Sequence, residues 1–259
     1  MDKWRYIPIE VNDGPWNMAL DEAILKAIIA GKSPNTIRFY KWNPSTASIG
    51  RNQSLSDEID LDFAKEKGFD VVRRITGGGA VFHDQNREIT YSIVCPLTHL
   101  KKLNATKVLE QFEIITQGII QGLTIYGLTP RKGVIHCPAL FLDDKKFSGN
   151  AQVRRKGYLL QHGTILLELD PELMYSVLKA PHNVTKSRMV QSVYAKCIGI
   201  KEVLENYVEE DFLRALKKGF ENALNITLEE ENFSEYERKL ARTLVKEKYQ
   251  NKSWLEKYE

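Results

Sequence analysis

The chain has 259 residues, of which 42% are hydrophobic, and a formal net charge of +3. This length suits one main domain with its own core, and the mixed charges argue against a nucleic-acid platform. No apolar run approaches the roughly 18 residues of a membrane span. Cys95, Cys137 and Cys197 are odd in number and widely spaced, so they predict neither a disulfide framework nor a metal site, and they favour the cytoplasm.

Short helical and β-type runs follow one another along the chain. Asn17 is the expected N-cap of the first helix, and the turn-forming residues 42–45 predict a hairpin between the first two strands. The predicted elements are a helix at 17–30, strands at 36–40 and 47–50, a helix at 56–67, strands at 71–74 and 90–95, a helix at 108–127, a strand at 158–169 and two amphipathic helices after about residue 199.

The most informative segment is Arg73-Arg74-Ile75-Thr76-Gly77-Gly78-Gly79-Ala80-Val81-Phe82-His83-Asp84. Three consecutive glycines after a strand forfeit side-chain packing, which suggests that a ligand approaches the backbone closely. The pattern is neither a P-loop nor a dinucleotide fingerprint. Arg73 and Arg74 point to opposite faces of a strand, so only one reaches such a ligand, where a guanidinium would suit a phosphate or an acyl phosphate. A glycine-rich turn with a solvated arginine pair explains the segment equally well.

The same segment resembles the signature of the lipoate-protein ligases, which share a superfamily with the biotin ligases and the octanoyltransferases. The resemblance implies an α/β (α+β) fold, with a mixed or antiparallel central sheet flanked by helices. We expect a catalytic domain over 1–198 and a small C-terminal helical module over 199–259. Further matches, in chain order, are Asn17-Met18-Ala19-Leu20-Asp21-Glu22, Gly50-Arg51-Asn52-Gln53, Lys146-Phe147-Ser148-Gly149-Asn150-Ala151-Gln152 and Gln161-His162-Gly163-Thr164.

The resemblance implies a lipoate-protein ligase that uses ATP and Mg²⁺ to convert lipoate to lipoyl-AMP and then acylates a protein lysine. Lys146 is the expected catalytic residue, because a fixed ammonium would oppose negative charge on the acyl carbonyl and phosphate oxygens. His162 is expected to bind rather than to move a proton, and no metal ligands are assigned. The expected substrate- or adenylate-binding residues are Arg74, Thr76, Gly77, Gly78, Gly79, Val81, His83, Gly149, Asn150, Ala151, His162, Gly163 and Thr164.

Two alternatives remain open at the stretch from Cys137 to Lys146. Lys146 could be an exposed lysine at the tip of the charged hairpin Asp143-Asp144-Lys145-Lys146. Cys137 could be the nucleophile of an ATP-independent octanoyl or lipoyl transferase, which would hold the acyl group as a thioester, or simply a small, partly buried residue. The sequence does not choose between lipoate and octanoate as the donor group.

The expected partner, also by resemblance, is the lipoyl domain of a 2-oxoacid dehydrogenase complex or the glycine-cleavage carrier protein. The tail is shorter than the accessory domain of the longer ligases. The chain therefore either needs a separate accessory subunit or works with its own tail. A non-catalytic subunit that keeps the fold is a third class of function, and neither nucleic acid nor a membrane is an expected partner.

Overall fold

The computed structural model describes residues 1–133 and 138–259. Its strands form two sheets, which together carry the candidate site. The strands are β1 (Asp2–Asn12), β2 (Thr36–Trp42), β3 (Thr46–Ile49), β4 (Asp70–Arg73), β5 (Val81–His83), β6 (Glu88–Pro96), β7 (Arg131–Lys132), β8 (Leu140–Leu142), β9 (Lys145–Arg155), β10 (Tyr158–Leu166) and β11 (Ile226–Glu230).

The helices pack against these sheets, and none of those in the described ranges is long and apolar enough to cross a membrane. A 3₁₀ turn (Ile200–Glu202) and a π-helical turn (Val245–Tyr249) accompany them. The helices are α1 (Gly14–Ile29), α2 (Leu55–Glu58), α3 (Leu61–Glu66), α4 (Leu97–Lys102), α5 (Val108–Ile125), α6 (Pro171–Val177), α7 (Lys186–Lys196), α8 (Glu209–Leu224), α9 (Glu235–Leu244) and α10 (Lys252–Leu255).

The large sheet has eight strands in the order β11-β1-β2-β6-β10-β9-β8-β7, and the small one has the order β4-β3-β5. In the large sheet β1 runs parallel to β2 and β11, whereas the other pairs are antiparallel. Alternate residues of β6 supply opposite faces: Ile93 packs with α5 and α8, and Val94 with α1 and α9. The predicted mixed sheet flanked by helices is confirmed.

The predicted hairpin between the first two strands is wrong. β2 lies inside the large sheet between β1 and β6, whereas β3 is the central strand of the small sheet. The side chains of each strand are buried along almost its whole length, so each strand has packing neighbours on both of its faces. The turn-forming residues 42–45 therefore carry the chain from one sheet to the other.

Two helix boundaries also differ from the prediction. The N-cap of α1 is Asp13, whose Oδ1 accepts from the Trp16 amide at 2.7 Å. Asn17 lies inside the helix, fully buried, and its amide donates to the carbonyl oxygen of Asn12. The helix predicted at 56–67 is two short helices, because Ile59 is extended and bridges to another segment while Asp60 caps α3.

The segment 199–259 contributes to both faces of the large sheet. α8 crosses α5 so closely that a Cβ at Gly219 would lie 2.2 Å from the Gly122 nitrogen. β11 pairs with β1 at the sheet edge, and α9 packs against α1. α10 lies behind β4, where its backbone carbonyls bind Arg73. The division into two units at residue 198 stays a prediction.

Candidate active site

A cavity of about 440 Å³ lies between the two sheets and is closed on one side by α6 and α7. Most of the residues that the sequence predicted for the site line it. Thr76 and Gly77 are not among its walls, and Cys137 lies outside the described residues. The predicted residues at the wall are Arg74, Gly78, Gly79, Val81, His83, Lys146, Gly149, Asn150, Ala151, His162, Gly163 and Thr164.

Lys146 enters the cavity from the start of β9. Asp143 and Asp144, between β8 and β9, have φ values of 46° and 63°, which is the backbone of a tight two-residue hairpin. A Cβ at Gly149 would lie 3.3 Å from Lys146 Nζ, so the glycine leaves room for the ammonium. No carboxylate of the described residues lies within 4.0 Å of Lys146. The hairpin tip is confirmed, but the lysine faces the cavity rather than open solvent.

Arg74 holds the glycine segment in shape. Its side chain is buried, and Nη2 donates to the carbonyl oxygens of Gly77 at 2.9 Å and Gly79 at 2.7 Å. Burial lowers the pKa of Arg74 to about 10, so the guanidinium remains charged at neutral pH. Gly78 has a φ of 97°, a conformation that favours glycine. A Cβ at Gly50 would lie 2.0 Å from the Gly78 oxygen, so two backbones meet here.

Arg73 points away from the cavity, as the alternation along β4 predicts. Its Nε donates to the carbonyl oxygens of Trp254 at 2.9 Å and Leu255 at 3.0 Å. Nη1 donates to the Gly50 carbonyl at 3.2 Å, on the strand end that supports the glycine segment. Arg73 therefore joins α10 to the back of the site, and the binding role predicted for Arg74 stays a prediction.

His83 forms part of a polar wall. Its ring stacks on Trp42 with centroids 4.1 Å apart, Nδ1 lies 2.8 Å from Glu88 Oε1, and Nε2 lies 2.9 Å from Ser48 Oγ. Trp42 Nε1 donates to Thr90 Oγ1 at 2.8 Å. Thr90 in turn donates to Glu88 Oε1 at 2.7 Å, so the indole and the imidazole are held by one carboxylate oxygen.

His162 is held by a second buried carboxylate. Asp21 Oδ2 lies 3.1 Å from His162 Nδ1, and Thr76 Oγ1 lies 2.7 Å from Nε2. Burial alone would raise the pKa of Asp21, but the charge of Arg38 and the bond from His162 hold it below its usual value. Burial lowers the pKa of His162, so Nδ1–H donates to Asp21 and Nε2 accepts from Thr76. Both nitrogens are thus engaged by protein groups, and the binding role of His162 stays a prediction.

The cavity also has wall residues that were not among the expected site residues, although Met18, Ala80 and Phe82 lie within the matched motifs. Ser48 lies on β3, which the predicted hairpin placed elsewhere. The helices α6 and α7 contribute apolar side chains whose spacing is that of any core-facing helix, so no sequence signal separated them from the core. The unpredicted wall residues are Met18, Tyr40, Trp42, Ser48, Ala80, Phe82, Thr90, Leu166, Met174, Tyr175, Leu178, Val193 and Cys197. Among the described residues the result is a largely apolar chamber with the ammonium of Lys146 and the guanidinium of Arg74 at its wall.

The sequence is similar to characterised enzymes along its whole length. The family model of the lipoyl protein ligase A/B catalytic domain matches residues 13–221. The chain is 38% identical to octanoyltransferase LipM of Geobacillus kaustophilus, covering 97% of this chain and 97% of that protein. It is 36% identical to octanoyltransferase LipM of Bacillus subtilis, covering 98% of each.

Solved structures with the same fold include lipoate-protein ligases. A bi-partite lipoate protein ligase from Thermoplasma acidophilum superposes with a TM-score of 0.87 and 26% identity, over 100% of this chain and 98% of the other. A lipoate-protein ligase A bound with ATP gives a TM-score of 0.84 and 26% identity, over 100% of both chains.

The expectation of an ATP-dependent lipoate-protein ligase is wrong. The relatives that match at 36–38% over the whole chain are octanoyltransferases, whereas the ligases match at 26%. The expected dependence on ATP and Mg²⁺ and the expected lipoate substrate are therefore not supported. The alternative, ATP-independent octanoyl transfer, is better supported. The matches to octanoyltransferases give no support to a separate accessory subunit.

Proposed function

This chain belongs to the lipoyl protein ligase A/B catalytic domain family of enzymes, and we propose that it transfers an octanoyl group from a thioester donor to a lysine of a lipoyl domain. The observation that carries the proposal is the identity of 36–38% to octanoyltransferases over almost the whole length of both chains. The largely apolar chamber supports it, because an eight-carbon chain is buried favourably against apolar side chains. The single ammonium of Lys146 suits the reacting carbonyl.

The proposed nucleophile is Cys137. Its thiolate attacks the donor carbonyl, a C–S bond forms, and the donor thiol leaves with a proton. The lysine amine of the acceptor then attacks the acyl-enzyme, so that a C–N bond replaces the C–S bond and the proton passes to the thiolate. Neither step needs a nucleotide, because the donor thioester is already activated. The ammonium of Lys146 would stabilise the oxyanion in both steps.

The other two cysteines are poorer candidates for this role. Cys95 is fully buried in the core, and burial raises the pKa of its thiol. Cys197 lines the cavity, and burial also raises its pKa, although the charge of Lys146 opposes the rise. A raised pKa lowers the fraction of thiolate, which is the reactive form.

The substrate test uses octanoyl carrier protein as donor and a lipoyl domain as acceptor, with mass spectrometry of the acceptor. We expect octanoylation of one lysine without ATP and no change when ATP and Mg²⁺ are added. Free octanoate with ATP and Mg²⁺ should give no product. Transfer only from free octanoate with ATP would overturn the proposed function.

The nucleophile test maps the acyl-enzyme. Incubation with donor alone, followed by acid quenching and proteolysis, should place the octanoyl group on Cys137 and not on Cys197. Cys137→Ser should abolish the adduct and reduce transfer by about 100-fold or more. An adduct on Cys197 would contradict the assignment of Cys137, and so would full activity of the serine variant.

A further inference from the structure

Two buried chains of hydrogen bonds connect a carboxylate to the glycine segment through an imidazole and a hydroxyl group. One runs from Asp21 through His162 to Thr76, the residue before Gly77. The other starts at Glu88, which is 1% exposed and lies behind the cavity wall. The second chain has no place in the acyl-transfer chemistry described above, and its far end is Arg74.

The donors of the second chain all point the same way. Arg74 can only donate, and its Nη1 lies 3.2 Å from Ser48 Oγ. We assign the Ser48 hydroxyl as donor to His83 Nε2, 2.9 Å away, and His83 Nδ1–H as donor to Glu88 Oε1, 2.8 Å away, because a carboxylate oxygen can only accept. This assignment places the proton of His83 on Nδ1 and leaves the lone pair of Nε2 facing Ser48. The opposite tautomer would aim a hydrogen at Ser48 and leave a lone pair facing the carboxylate.

The second chain of hydrogen bonds connects a buried positive charge to a carboxylate. Arg74 is buried, and among the described residues no carboxylate lies within 4.0 Å of it. Glu88 is the carboxylate to which it is connected, through the Ser48 hydroxyl and the His83 imidazole. A buried charge is tolerated when its hydrogen-bonding partners are fixed, and a chain of aligned hydrogen bonds strengthens each of its members. The same guanidinium binds the carbonyl oxygens of Gly77 and Gly79.

We propose that Glu88 is a positioning residue for acyl transfer: it fixes the Nδ1–H tautomer of His83, which orients Ser48 and Arg74 and so sets the shape of the glycine wall. Glu88 touches no substrate in this role. Its second contact, to Thr90, holds the Trp42 indole against the same imidazole. Loss of the carboxylate would therefore disturb two walls of the chamber together. The kinetic part of this inference rests on the proposed function.

The first experiment reads the tautomer without substrate. NMR spectra are recorded of protein with ¹⁵N-labelled histidine rings. The signals that disappear in His83→Gln are those of His83. We expect the wild type to show a protonated Nδ1 and an unprotonated Nε2. Glu88→Leu, which removes the acceptor and keeps the volume, should shift His83 toward the Nε2–H form. A wild-type Nε2–H tautomer, or no shift in the variant, would overturn the proposal whatever the enzyme transfers.

The second experiment uses Glu88→Gln as the conservative variant. Glu88 Oε2 accepts no hydrogen bond from the described residues, so an amide nitrogen can take its place while Oε1 keeps both contacts. We expect Gln to retain the Nδ1–H tautomer and most of the activity, and Leu to lower kcat/KM by about 10–100-fold with a higher KM for the octanoyl donor. A glutamine variant as impaired as the leucine variant would contradict the proposal.

Glu237→Gln is the matched control, because Glu237 is an equally buried carboxylate that binds Arg5 away from the cavity. It should lower the melting temperature but leave the His83 tautomer and the KM unchanged. A change of tautomer in this variant would show that lost stability alone moves the signal. If the wild type transfers no octanoyl group, the proposed function fails, and the tautomer measurements still decide the role of Glu88.

Discussion

Lys146 is the residue on which the proposed chemistry most depends. Its ammonium reaches the cavity without a carboxylate partner among the described residues, so its charge is available to a developing oxyanion. We expect Lys146→Met, which keeps an unbranched side chain of similar volume without the charge, to lower kcat/KM by about 100-fold or more. Mass spectrometry of the acceptor domain gives the rate. The melting temperature should change little.

Lys145 provides the control, since it precedes Lys146 on the same hairpin and is not a wall of the cavity. Lys145→Met should stay within about threefold of the wild type. Equal losses in the two variants would mean that the charge of the hairpin matters in general. Wild-type activity in Lys146→Met would remove this lysine from the mechanism.

The sequence located the polar part of the site much better than the apolar part. Lys146 and Gly149 belong to a motif in which each residue type has a property that a ligand site uses, a charge or the lack of a side chain. No such property distinguishes Trp42, Met174 and Val193 in the sequence. An apolar residue at a cavity wall has the same spacing as one in the core. Glu88 was missed because it acts through His83 and lies outside the motif.

At the scale of elements, the contact between α10 and β4 can be tested by truncation. Removing residues 252–259 deletes the acceptors of Arg73 Nε and the Trp254 indole, which donates to the Arg73 carbonyl at 2.7 Å. The buried guanidinium would lose partners, at a cost of about 1–3 kcal/mol. Because Arg73 also binds the Gly50 carbonyl, we expect a higher KM for the donor as well as a lower melting temperature.

A shorter truncation serves as the control. Removing residues 256–259 keeps the Trp254 and Leu255 carbonyls that bind Arg73, and deletes the Glu259 carboxylate at the start of α2 and the Tyr258 ring 5.3 Å from the Arg73 guanidinium. This variant should have a donor KM close to that of the wild type. A longer truncation with unchanged KM and melting temperature would show that α10 does not support the site.

Element boundaries were predicted less well than element types. Periodicity indicated the strands near β2 and β3 but not their partners, since pairing depends on which neighbours bury both faces of each strand. The helix expected at 56–67 breaks because Ile59 turns inward to a buried position, a tertiary demand that local propensity does not record. The long helices α5 and α8 were predicted well, because each shows an apolar stripe over several turns.

For the whole molecule, buried titratable groups predict a loss of stability in acid. Folding lowers the pKa of Asp21, Glu22 and Glu237 below ordinary values of 3.8, 4.5 and 4.5, and that of His162 below 6.5. The unfolded chain therefore takes up more protons than the folded one as the pH falls through 6.5 and then through 4.5. We expect the melting temperature to be steady between about pH 7 and 8 and to fall in both acid ranges, by about 2–4 °C for each 1 kcal/mol.

Glu237→Gln separates one contribution to this dependence. The substitution removes a carboxylate that binds Arg5 and Ser33, so the melting temperature should be lower at pH 7. Its further decrease below pH 4.5 should be smaller than in the wild type, because one titrating group has gone. If the melting temperature fell equally with pH in the wild type and the variant, protonation of Glu237 would not contribute to acid unfolding.

The parallel pairing of β1 with β11 has a consequence for how the molecule assembles. Asp2 lies opposite Ile226, so this edge of the sheet joins positions that are roughly 200 residues apart. Closing so long a loop is entropically unfavourable, and a topology rich in distant contacts slows folding. We expect β1 to pair with β2 early in folding, and β11 to pair with β1 late. In pulse-labelling hydrogen exchange during refolding, the amides of β11 would then be among the last to gain protection.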